Sequence, residues 1–452
     1  MQYTVTISET EETSHEGAVI TVSDNNASSS KLYFDFTTIL KSVQNPSTVA
    51  LDFLLVATTA YSLDKLISRS QALDGWSRAF SVTIPVGNPE VWNSVSNLAE
   101  NCLSFLSGDE WRIHYVKRTS PLIRPRQRRQ KPRIQARNSC GKTTCLFSGG
   151  LDSLIGAIDW LEENPNESLA LVGHHDRAIG GPLSDQRALL DGIRLSYPGR
   201  LCPTFVGIGH IGRGPEITMR SRSLLFIALG LIVAEDLGDG TTLLIPENGT
   251  IALNVPLTPS RRGSCSTRTA HPYYLGVLQE WIAGLGLNHS IQNPLLGKTK
   301  GMATLECRNL PLLKGIFRRS VSCAKRSRRQ TWINKQTKSC GRCMPCIYRR
   351  AALHVAGLDD EVYGVDLCND EVHWDDPKST AADDFRACLS FLLYNPSQMD
   401  IAKMLIANGY LRPLDAIEHA ATVQRSMNEI RQLLTDKGSV AVRNAAGLGG
   451  PN

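Results

Sequence analysis

The sequence predicts an α/β fold built on a parallel β-sheet. Through the middle of the chain, short apolar segments alternate with segments of helical periodicity. The predicted strands are residues 143–147, 169–173, 204–208 and 242–245, and the predicted helices are 154–161, 184–195 and 218–237. This alternation is typical of a parallel sheet with helices on both faces. A glycine-rich turn after the first of these strands, and a tight group of cysteines further on, are the two other observations that shape the prediction.

The chain is expected to contain more than one domain, because 452 residues are too many for one ordinary core. The predicted divisions are an N-terminal α+β domain at 1–116, a basic linker at 117–140, the parallel-sheet domain at 141–322, a four-cysteine module at 323–355 and a helical region at 356–452. In the last region we expect helices at 385–393, 397–408 and 414–434.

The N-terminal domain is predicted from alternating and periodic patterns. We expect strands at 3–7, 18–22 and 80–86, and helices at 49–66 and 91–106. Nothing in this part has the spacing of a catalytic site. Trp76, Trp92 and Trp111 are interpreted as core or interface residues, not as a ligand cage.

Two segments of the chain are strongly basic. Residues 117–137 hold nine basic side chains and residues 314–350 hold twelve, and neither segment has an acidic one. Such runs indicate either a polyanionic partner or a solvated surface around a phosphate site, and we favour the second interpretation. The linker has no interleaved aromatic residues, so nucleic-acid binding by stacking is not predicted there.

The glycine-rich turn reads Ser148, Gly149, Gly150, Leu151, Asp152 and Ser153. A turn between a strand and a helix brings backbone N–H groups and the positive end of the helix to one point, which suits a phosphate or pyrophosphate. Gly149 and Gly150 allow close approach of an anion, and Ser148 and Ser153 add hydroxyl donors. Asp152 either caps the helix or holds Mg²⁺. The Walker A lysine is missing, and an ordinary turn without a ligand is the alternative.

Further polar residues lie where ligands of such sheets bind, at and beyond the carboxyl ends of the strands. His174 and Glu247 follow strands as Ser148 does, so all three are candidates for one crevice. His174 and its neighbour His175 leave a strand towards opposite sides, which favours a structural or substrate-edge role over a shared metal ion.

The loops after the fourth strand add Asn248, Asn254, Arg268, Lys298 and Lys300. Polar loop residues beside a well-formed core are where binding chemistry usually lies. Arg268, Lys298 and Lys300 are candidates to neutralise a leaving pyrophosphate, and the alternative for each is an ordinary surface charge.

The cysteine group consists of Cys323, Cys340, Cys343 and Cys346. The Cys-x2-Cys-x2-Cys turn lets three sulfur atoms converge, and Cys323 completes a tetrahedral site for Zn²⁺ with no open position, so its role is expected to be structural. An iron–sulfur cluster is the rival interpretation. The remaining cysteines lack partner spacing and are interpreted as ordinary, mostly buried residues: Cys102, Cys140, Cys145, Cys202, Cys265, Cys307, Cys368 and Cys388.

No targeting or membrane segment is predicted. Residues 1–12 lack the features of a signal peptide, and the longest apolar run, 224–234, is too short to span a bilayer. We therefore expect a cytoplasmic protein without a membrane partner.

The Ser-Gly-Gly-Leu-Asp-Ser turn resembles the PP-loop of the ATP pyrophosphatase superfamily. Together with the Lys-Thr-Lys segment at 298–300 and the cysteine spacing, the match over residues 142–355 resembles the QueC family of 7-cyano-7-deazaguanine synthases. The resemblance implies the HUP (adenine nucleotide α-hydrolase-like) fold, ATP, Mg²⁺ and Zn²⁺ as cofactors, and adenylation of the carboxylate of 7-carboxy-7-deazaguanine. It places Zn²⁺ on the four cysteines and pyrophosphate on the turn. It also implies an ATP-binding role for Arg222, which with Ser223 replaces the family's Arg-Asn pair.

The chain is about twice as long as a typical member of that family. The long form resembles the QueC-like component of bacterial Qat antiphage defence systems. That resemblance implies an ATP-dependent ligase that passes the activated deazaguanine to an amine on a partner protein from the same operon. A carboxylate such as Glu247 suits the pairing edge of the deazaguanine.

Three other functions stay open at this stage. The chain can be a small-molecule synthase that uses ammonia to make the nitrile. It can be a PP-loop enzyme that modifies nucleic acid and uses the basic linker as a grip, or a scaffold without catalysis. The intact turn argues against the scaffold, and the extra regions argue against the small-molecule synthase.

Overall fold

The computed structural model of the chain describes residues 2–9, 17–24, 29–44, 46–119, 140–176, 180–212, 214–216, 220–259, 268–376 and 378–449. Ten strands of this part form one sheet. The strands are β1 (Gln2–Glu9), β2 (Gly17–Asp24), β3 (Ser29–Asp35), β4 (Ala79–Val86), β5 (Glu110–Lys117), β6 (Cys140–Leu146), β7 (Ser168–His175), β8 (Leu201–Ile211), β9 (Thr242–Leu244) and β10 (Ser290–Gln292).

The sheet has the order β10-β9-β6-β7-β8-β3-β2-β1-β4-β5. The block from β10 to β8 is parallel, as are the pairs β1–β4 and β4–β5, whereas β8–β3, β3–β2 and β2–β1 are antiparallel. The predicted α/β class with a mostly parallel sheet is therefore confirmed.

The N-terminal strands, which the sequence analysis assigns to a domain at 1–116, pair with the central block of the sheet. Strand β8 pairs with β7 through residues 201–207 and then with β3 through residues 208–211, so the N-terminal strands continue the central sheet. Phe34 and Phe53 share one apolar core with Val206 and Leu225. This pairing joins strands that are far apart in the chain, and no local pattern in the sequence reports such pairing.

The helices of the described residues cover both the sheet and the C-terminal region. They are α1 (Phe36–Ser42), α2 (Thr48–Leu66), α3 (Pro89–Ser94), α4 (Ser96–Ser107), α5 (Leu151–Glu163), α6 (Pro182–Ser196), α7 (Arg222–Leu237), α8 (Gly249–Leu253), α9 (Pro272–Gly284), α10 (Lys300–Leu305), α11 (Leu310–Ile316), α12 (Met344–Val355), α13 (Asp383–Tyr394), α14 (Gln398–Asn408), α15 (Pro413–Lys437) and α16 (Val440–Ala445).

Helix α2 packs the N-terminal part against the central core. Fifteen of its nineteen residues are buried, from Ala50 to Asp64. A helix that is buried on nearly every side must be covered by several elements, and α7 covers one of those sides. The predicted helix at 49–66 is thus confirmed, but it belongs to the common core.

Most predicted elements of the N-terminal part and of the sheet are present, with a few differences. The structure adds β3, α1, β5 and β10, which were not predicted, and it divides the expected helix at 91–106 into α3 and α4 at Val95. Trp92 and Trp111 are buried core residues, as expected, whereas Trp76 is half-buried with the guanidinium groups of Arg69 and Arg220 over its ring. Of the predicted linker, residues 120–139 lie outside the described residues.

The predicted C-terminal helices correspond to α13, α14 and α15. Together with α12 and α8 they enclose a second apolar core that includes Ile347, Phe385, Leu405 and Ile430. The C-terminal region is therefore packed onto the cysteine module and onto the helix that follows β9.

One interpretation of the scattered cysteines is wrong. Cys140 and Cys202, which flank β7, lie within bonding distance of each other as a disulfide pair. Their separation of 62 residues hides this proximity in the sequence. Cys102, Cys145, Cys307, Cys368 and Cys388 are buried and free of disulfides, as expected, and Cys265 lies outside the described residues.

The membrane prediction concerns helix length and composition. No helix in the described part of the chain combines the length and the apolar character needed to cross a bilayer.

Candidate functional site

The topology of the parallel block marks one place for a ligand. From β6 the chain first adds β7 and β8 on one side and later adds β9 and β10 on the other. The strand order reverses between β6 and β9, and ligands of open α/β sheets bind in the crevice beyond the strand ends at such a point. Ser148 follows β6 and Glu247 follows β9, so two residues singled out in the sequence flank this crevice.

The glycine-rich turn has the backbone expected of an anion site. Gly149 has φ +89°, a conformation that strains any residue with a Cβ atom. Gly150 is the N-cap of α5, and no side chain caps this helix end. The first N–H groups of a helix have no acceptor inside the helix, so those of residues 151–153 are available to a ligand. The hydroxyl oxygens of Ser148 and Ser153 lie 3.2 Å apart at the same point.

Asp152 does not cap α5, although the sequence allowed that role. Its carboxylate is buried and forms an ion pair with the ammonium group of Lys300, which lies 148 residues away. Asn248 Nδ2 donates to the same carboxylate oxygen, Oδ2, over 3.0 Å. The other oxygen, Oδ1, is buried and has no hydrogen-bond partner among the described residues. Asp152 therefore joins the turn to the two loops that follow β9 and β10.

Glu247 and Asp152 form an unequal pair of carboxyl groups. Burial, and then the charge of Asp152, raises the pKa of Glu247 well above its ordinary value. Burial also favours protonation of Asp152, but the charge of Lys300 and the hydrogen bonds from Glu247, Lys300 and Asn248 outweigh it and hold the pKa of Asp152 below its ordinary value. The two shifts run in opposite directions, and Asp152 keeps its negative charge opposite Lys300.

The C-terminal helix α15 holds in place the segment that carries Lys298 and Lys300. Glu429 of α15 accepts hydrogen bonds from the hydroxyl of Thr299 and, over 3.3 Å, from the backbone N–H of Gly301. Thr299 is also the N-cap of α10, where its hydroxyl accepts from the N–H of Met302 over 3.0 Å. Lys300 thus sits between two residues that Glu429 binds, and its position depends on the C-terminal region.

We predict that Glu429→Ala destabilises the folded chain by about 1–3 kcal/mol, because two largely buried donors lose their acceptor. Glu429→Gln keeps the shape and one acceptor oxygen, and burial already raises the pKa of Glu429, so a smaller loss is expected. Urea unfolding of the two variants tests this difference. Equal stabilities for the alanine variant and the parent chain would contradict the role given to Glu429.

Two neighbouring segments complete the wall around the turn. The N–H of Val321 donates to the carbonyl of Gly149 over 2.9 Å, which fixes the chain just before Cys323 against the turn. Gln186 of α6 is buried, and its side-chain amide nitrogen, Nε2, donates to the carbonyl of Phe147 over 3.1 Å. The turn is therefore supported from three directions, by α6, by the segment at 321 and by Lys300.

Arg222, the first residue of α7, contacts strand β7. Its Nε lies 3.3 Å from His174 Nδ1, and the ring Nε2 of His174 lies 2.8 Å from the carbonyl of Ile208. His174 is fully buried, which agrees with the structural role expected from the sequence. None of the ion pairs among the described residues joins Arg222 to a carboxylate, and burial lowers its pKa.

Three of the site residues predicted from the sequence do not contact the glycine-rich turn. Lys298 pairs with Glu306 over 2.9 Å and lines a cleft along α5 that contains no residue of the turn. Arg268 donates to the carbonyl of Phe105 over 2.9 Å and stacks on that ring, so it supports α4. Asn254 ends α8 in a left-handed conformation, and its carbonyl accepts from Asn408.

His271, which lies close to Arg268, should make the stability of the folded chain depend on pH. Burial, with Arg268 and His419 acting in the same direction, lowers the pKa of His271 to about 3. Because the folded pKa is below the unfolded value of about 6.5, stability is present above pH 6.5 and is lost as the pH falls through this window. His271→Asn keeps an oxygen that can accept from the N–H of Tyr273, as His271 Nδ1 does.

The expected result is that the parent chain loses about 1.4 kcal/mol more than His271→Asn between pH 7.5 and pH 5.5. Urea unfolding of both proteins at the two pH values measures this. Identical pH dependence would show that His271 is not titrated on unfolding.

The four cysteines form a compact candidate metal site. Their sulfur atoms all lie within 4.8 Å of one another, and Cys323 is the half-buried member. The pairs Cys340–Cys346, Cys343–Cys346 and Cys323–Cys343 are 3.8, 3.3 and 4.0 Å apart. A tetrahedral Zn²⁺ with bonds of about 2.3 Å holds its sulfur ligands ~3.8 Å apart, so the group fits a single ion such as zinc.

The fold around this site includes residues that follow α12 in the chain. Gly341 has φ +81°, and a Cβ there would meet the carbonyl of Val365. The N–H of Val365 donates to the carbonyl of Cys340 over 3.0 Å, and Trp332 packs against Gly364. Residues 363–365 are therefore part of the fold that shapes the cysteine turn.

Comparison with known proteins adds no identification. No family model, no curated protein and no solved structure matches the chain. The site is therefore described by its own residues.

The sequence missed Glu429, Gln186 and Val321, which support the turn. Thr299 carried a weak local signal, because threonine before a helix is a common N-cap. The other three carry none, since each reaches the turn only through the tertiary fold.

Proposed function

We propose that the chain uses ATP to activate a carboxylate and then transfers the acyl group to an amine. In the first step a carboxylate oxygen attacks the α-phosphorus and pyrophosphate leaves, which gives an acyl adenylate. In the second step the amine nitrogen attacks the acyl carbon, AMP leaves and the amine loses a proton. The observation that carries the proposal is the uncapped glycine-rich turn, joined to a buried Asp152–Lys300 pair at the point where the strand order reverses.

The turn is suited to the pyrophosphate part of ATP. The N–H groups of residues 151–153 and the hydroxyls of Ser148 and Ser153 point to one place at the positive end of α5. Lys300 adds a positive charge that is already fixed by Asp152, Thr299 and Gly301, so little reorganisation is needed as charge develops on the leaving group.

Magnesium fits the same site through Asp152. Mg²⁺ usually binds one or two carboxylate oxygens together with phosphate oxygens and water. The partnerless Oδ1 of Asp152 is such an oxygen. When bound, the ion would neutralise charge on the phosphates. We assign Arg222, at the start of α7, to the α-phosphate.

The substrate in this proposal is the carboxylate of 7-carboxy-7-deazaguanine, as the resemblance to the QueC family implies. Glu247 and Asn248 are the polar groups next to the turn on the β9 side. We assign the pairing edge of the deazaguanine to Glu247, with Asn248 and Asn254 beyond it. An unchanged substrate affinity in Glu247→Gln would remove this assignment.

The amine acceptor is proposed to lie on a partner protein of an antiphage defence operon, with ammonia as the alternative. The test incubates the chain with ATP and 7-carboxy-7-deazaguanine, with and without ammonia, and analyses the products by mass spectrometry. Amide or nitrile made from ammonia at catalytic turnover would favour the small-molecule synthase. Adenylate formation without turnover on ammonia, together with a deazaguanine mass added to a co-expressed neighbouring protein, would support the protein acceptor.

A further inference from the structure

The loop between Cys323 and Cys340 presents a basic surface beside the candidate active site. This segment, residues 324–339, is called the cysteine loop below. Six of its sixteen residues are basic and none is acidic. The six are Lys325, Arg326, Arg328, Arg329, Lys335 and Lys338.

Some of these charges are used inside the fold and others are not. Arg326 and Lys338 pair with Asp185 of α6, and Lys325 pairs with Asp384. Arg328, Arg329 and Lys335 are exposed, and no carboxylate of the described residues lies within ion-pair distance of them. The inner cations therefore fix the loop to the rest of the protein, whereas the outer three have no ion pair among the described residues. Within the loop, Arg329 Nε donates to the carbonyl of Lys335.

The cysteine loop is held in one shape. Both of its ends are at metal-site cysteines, and Trp332, only 2% exposed, fastens its middle against Gly364. The N–H of Asn334 donates to the carbonyl of Gly364 over 2.9 Å. Because the backbone is fixed, the outer cations can bind a partner with a smaller loss of conformational entropy than a free basic tail.

We propose that the cysteine loop binds the phosphate backbone of a nucleic acid. Guanidinium groups match phosphate oxygens in geometry as well as charge. A docking site for a protein or a membrane would need apolar side chains at its centre, and Ile333 is the one large exposed apolar residue of the loop. Trp332 is buried, so the loop reads phosphates, not bases, and binding is tolerant of sequence.

The surface lies next to the glycine-rich turn. Val321, two residues before Cys323, bonds to Gly149, and Arg326 pairs with Asp185 at the start of α6. A nucleic acid on the cysteine loop would therefore pass the mouth of the proposed ATP site. The binding itself does not depend on the proposed adenylation, and it is measured without ATP.

The test uses a fluorescein-labelled single-stranded DNA of 20 nucleotides and fluorescence anisotropy from 50 to 200 mM NaCl. The test variant combines Arg328→Gln, Arg329→Gln and Lys335→Gln. The control combines Arg112→Gln, Lys403→Gln and Arg412→Gln, three exposed cations on other surfaces, and so loses the same net charge. Metal content and thermal unfolding confirm that both variants are folded.

The expected result is a loss of affinity of about tenfold or more at 50 mM NaCl in the test variant, with a log–log salt slope smaller by about 2, and little change in the control. A second DNA of different sequence should bind equally well. Equal losses in both variants would overturn the proposal in favour of a net-charge effect. Absence of DNA binding, or loop-dependent binding to phosphatidylserine vesicles without DNA binding, would overturn it as well.

Discussion

Lys300→Met is expected to destabilise the folded chain by about 3–5 kcal/mol, because it leaves the buried carboxylate of Asp152 without its counter-charge. Lys300 is 2% exposed and Asp152 is 7% exposed, so water cannot replace the lost partner. The same substitution should remove ATP-dependent pyrophosphate release, since Lys300 is the fixed cation next to the turn. Urea unfolding and a pyrophosphate assay measure the two effects.

Lys298→Met is a matched control for this experiment. Lys298 lies two residues away, has the same side chain and pairs with Glu306, but both partners are partly exposed, at 33% and 49%. An exposed ion pair contributes about 0–1 kcal/mol, so only a small change in stability is expected. Equal effects of the two substitutions would contradict the special position of Lys300.

A double substitution separates the ion pair from the individual residues. If Asp152 and Lys300 are coupled, Asp152→Asn with Lys300→Met should be destabilised by less than the sum of the single losses. Additive losses would mean that the two side chains act independently in the folded chain.

Cys343→Ser is expected to abolish metal binding and unfold the cysteine module. The thiol of Cys343 is buried and lies within 4.0 Å of the sulfur atoms of Cys323 and Cys346. Structural zinc contributes roughly 10–16 kcal/mol in small zinc-binding peptides, so one missing ligand removes most of the energy that holds the turn. Metal analysis should find one zinc per chain in the parent protein and almost none in the variant.

Loss of the metal ion should also disturb the glycine-rich turn. Arg349 of α12, three residues after Cys346, bonds to the hydroxyl of Ser320 over 2.8 Å and to the carbonyl of Phe317 over 3.1 Å. The next residue along that segment, Val321, bonds to Gly149. We therefore expect zinc removal by a chelator to lower pyrophosphate release, even though no cysteine touches the proposed ATP site.

Cys307→Ser is the control for the cysteine substitution. Cys307 is also buried, but it lies outside the metal site and next to Asp159, which can accept a hydrogen bond from a serine hydroxyl. Metal content and activity should stay near the parent values. Full activity in the metal-free Cys343→Ser protein would show that the module does not support the turn.

Sequence patterns over neighbouring residues are sufficient to predict the features that neighbouring residues form. The alternation of apolar and helical segments predicted the parallel block, and the Cys-x2-Cys-x2-Cys spacing predicted three sulfurs that converge. The glycine-rich turn was placed between a strand and a helix because Gly149 and Gly150 interrupt an apolar run just where helical periodicity begins. The structure bears out each of these placements.

Features that depend on distant residues could not be predicted. Lys298 and Lys300 look equivalent in the sequence, yet they lie on either side of Thr299, the N-cap of α10. As a result Lys298 lies near the surface and pairs with Glu306, whereas Lys300 pairs with the buried Asp152. The hydrogen bond of Thr299 to Glu429 spans 130 residues. The pairing of β3 with β8 is of the same kind, because register over such distances is set by packing.

The most direct test of the central claim is an isotope-exchange assay between ATP and labelled pyrophosphate in the presence of 7-carboxy-7-deazaguanine. Exchange reports reversible cleavage between the α- and β-phosphates and does not require the amine acceptor. We expect exchange that depends on the deazaguanine carboxylate and is lost in the chain carrying Ser148→Ala and Asp152→Ala, with zinc content unchanged. Exchange that persists in that variant, or cleavage of ATP to ADP and phosphate in the parent chain, would contradict it.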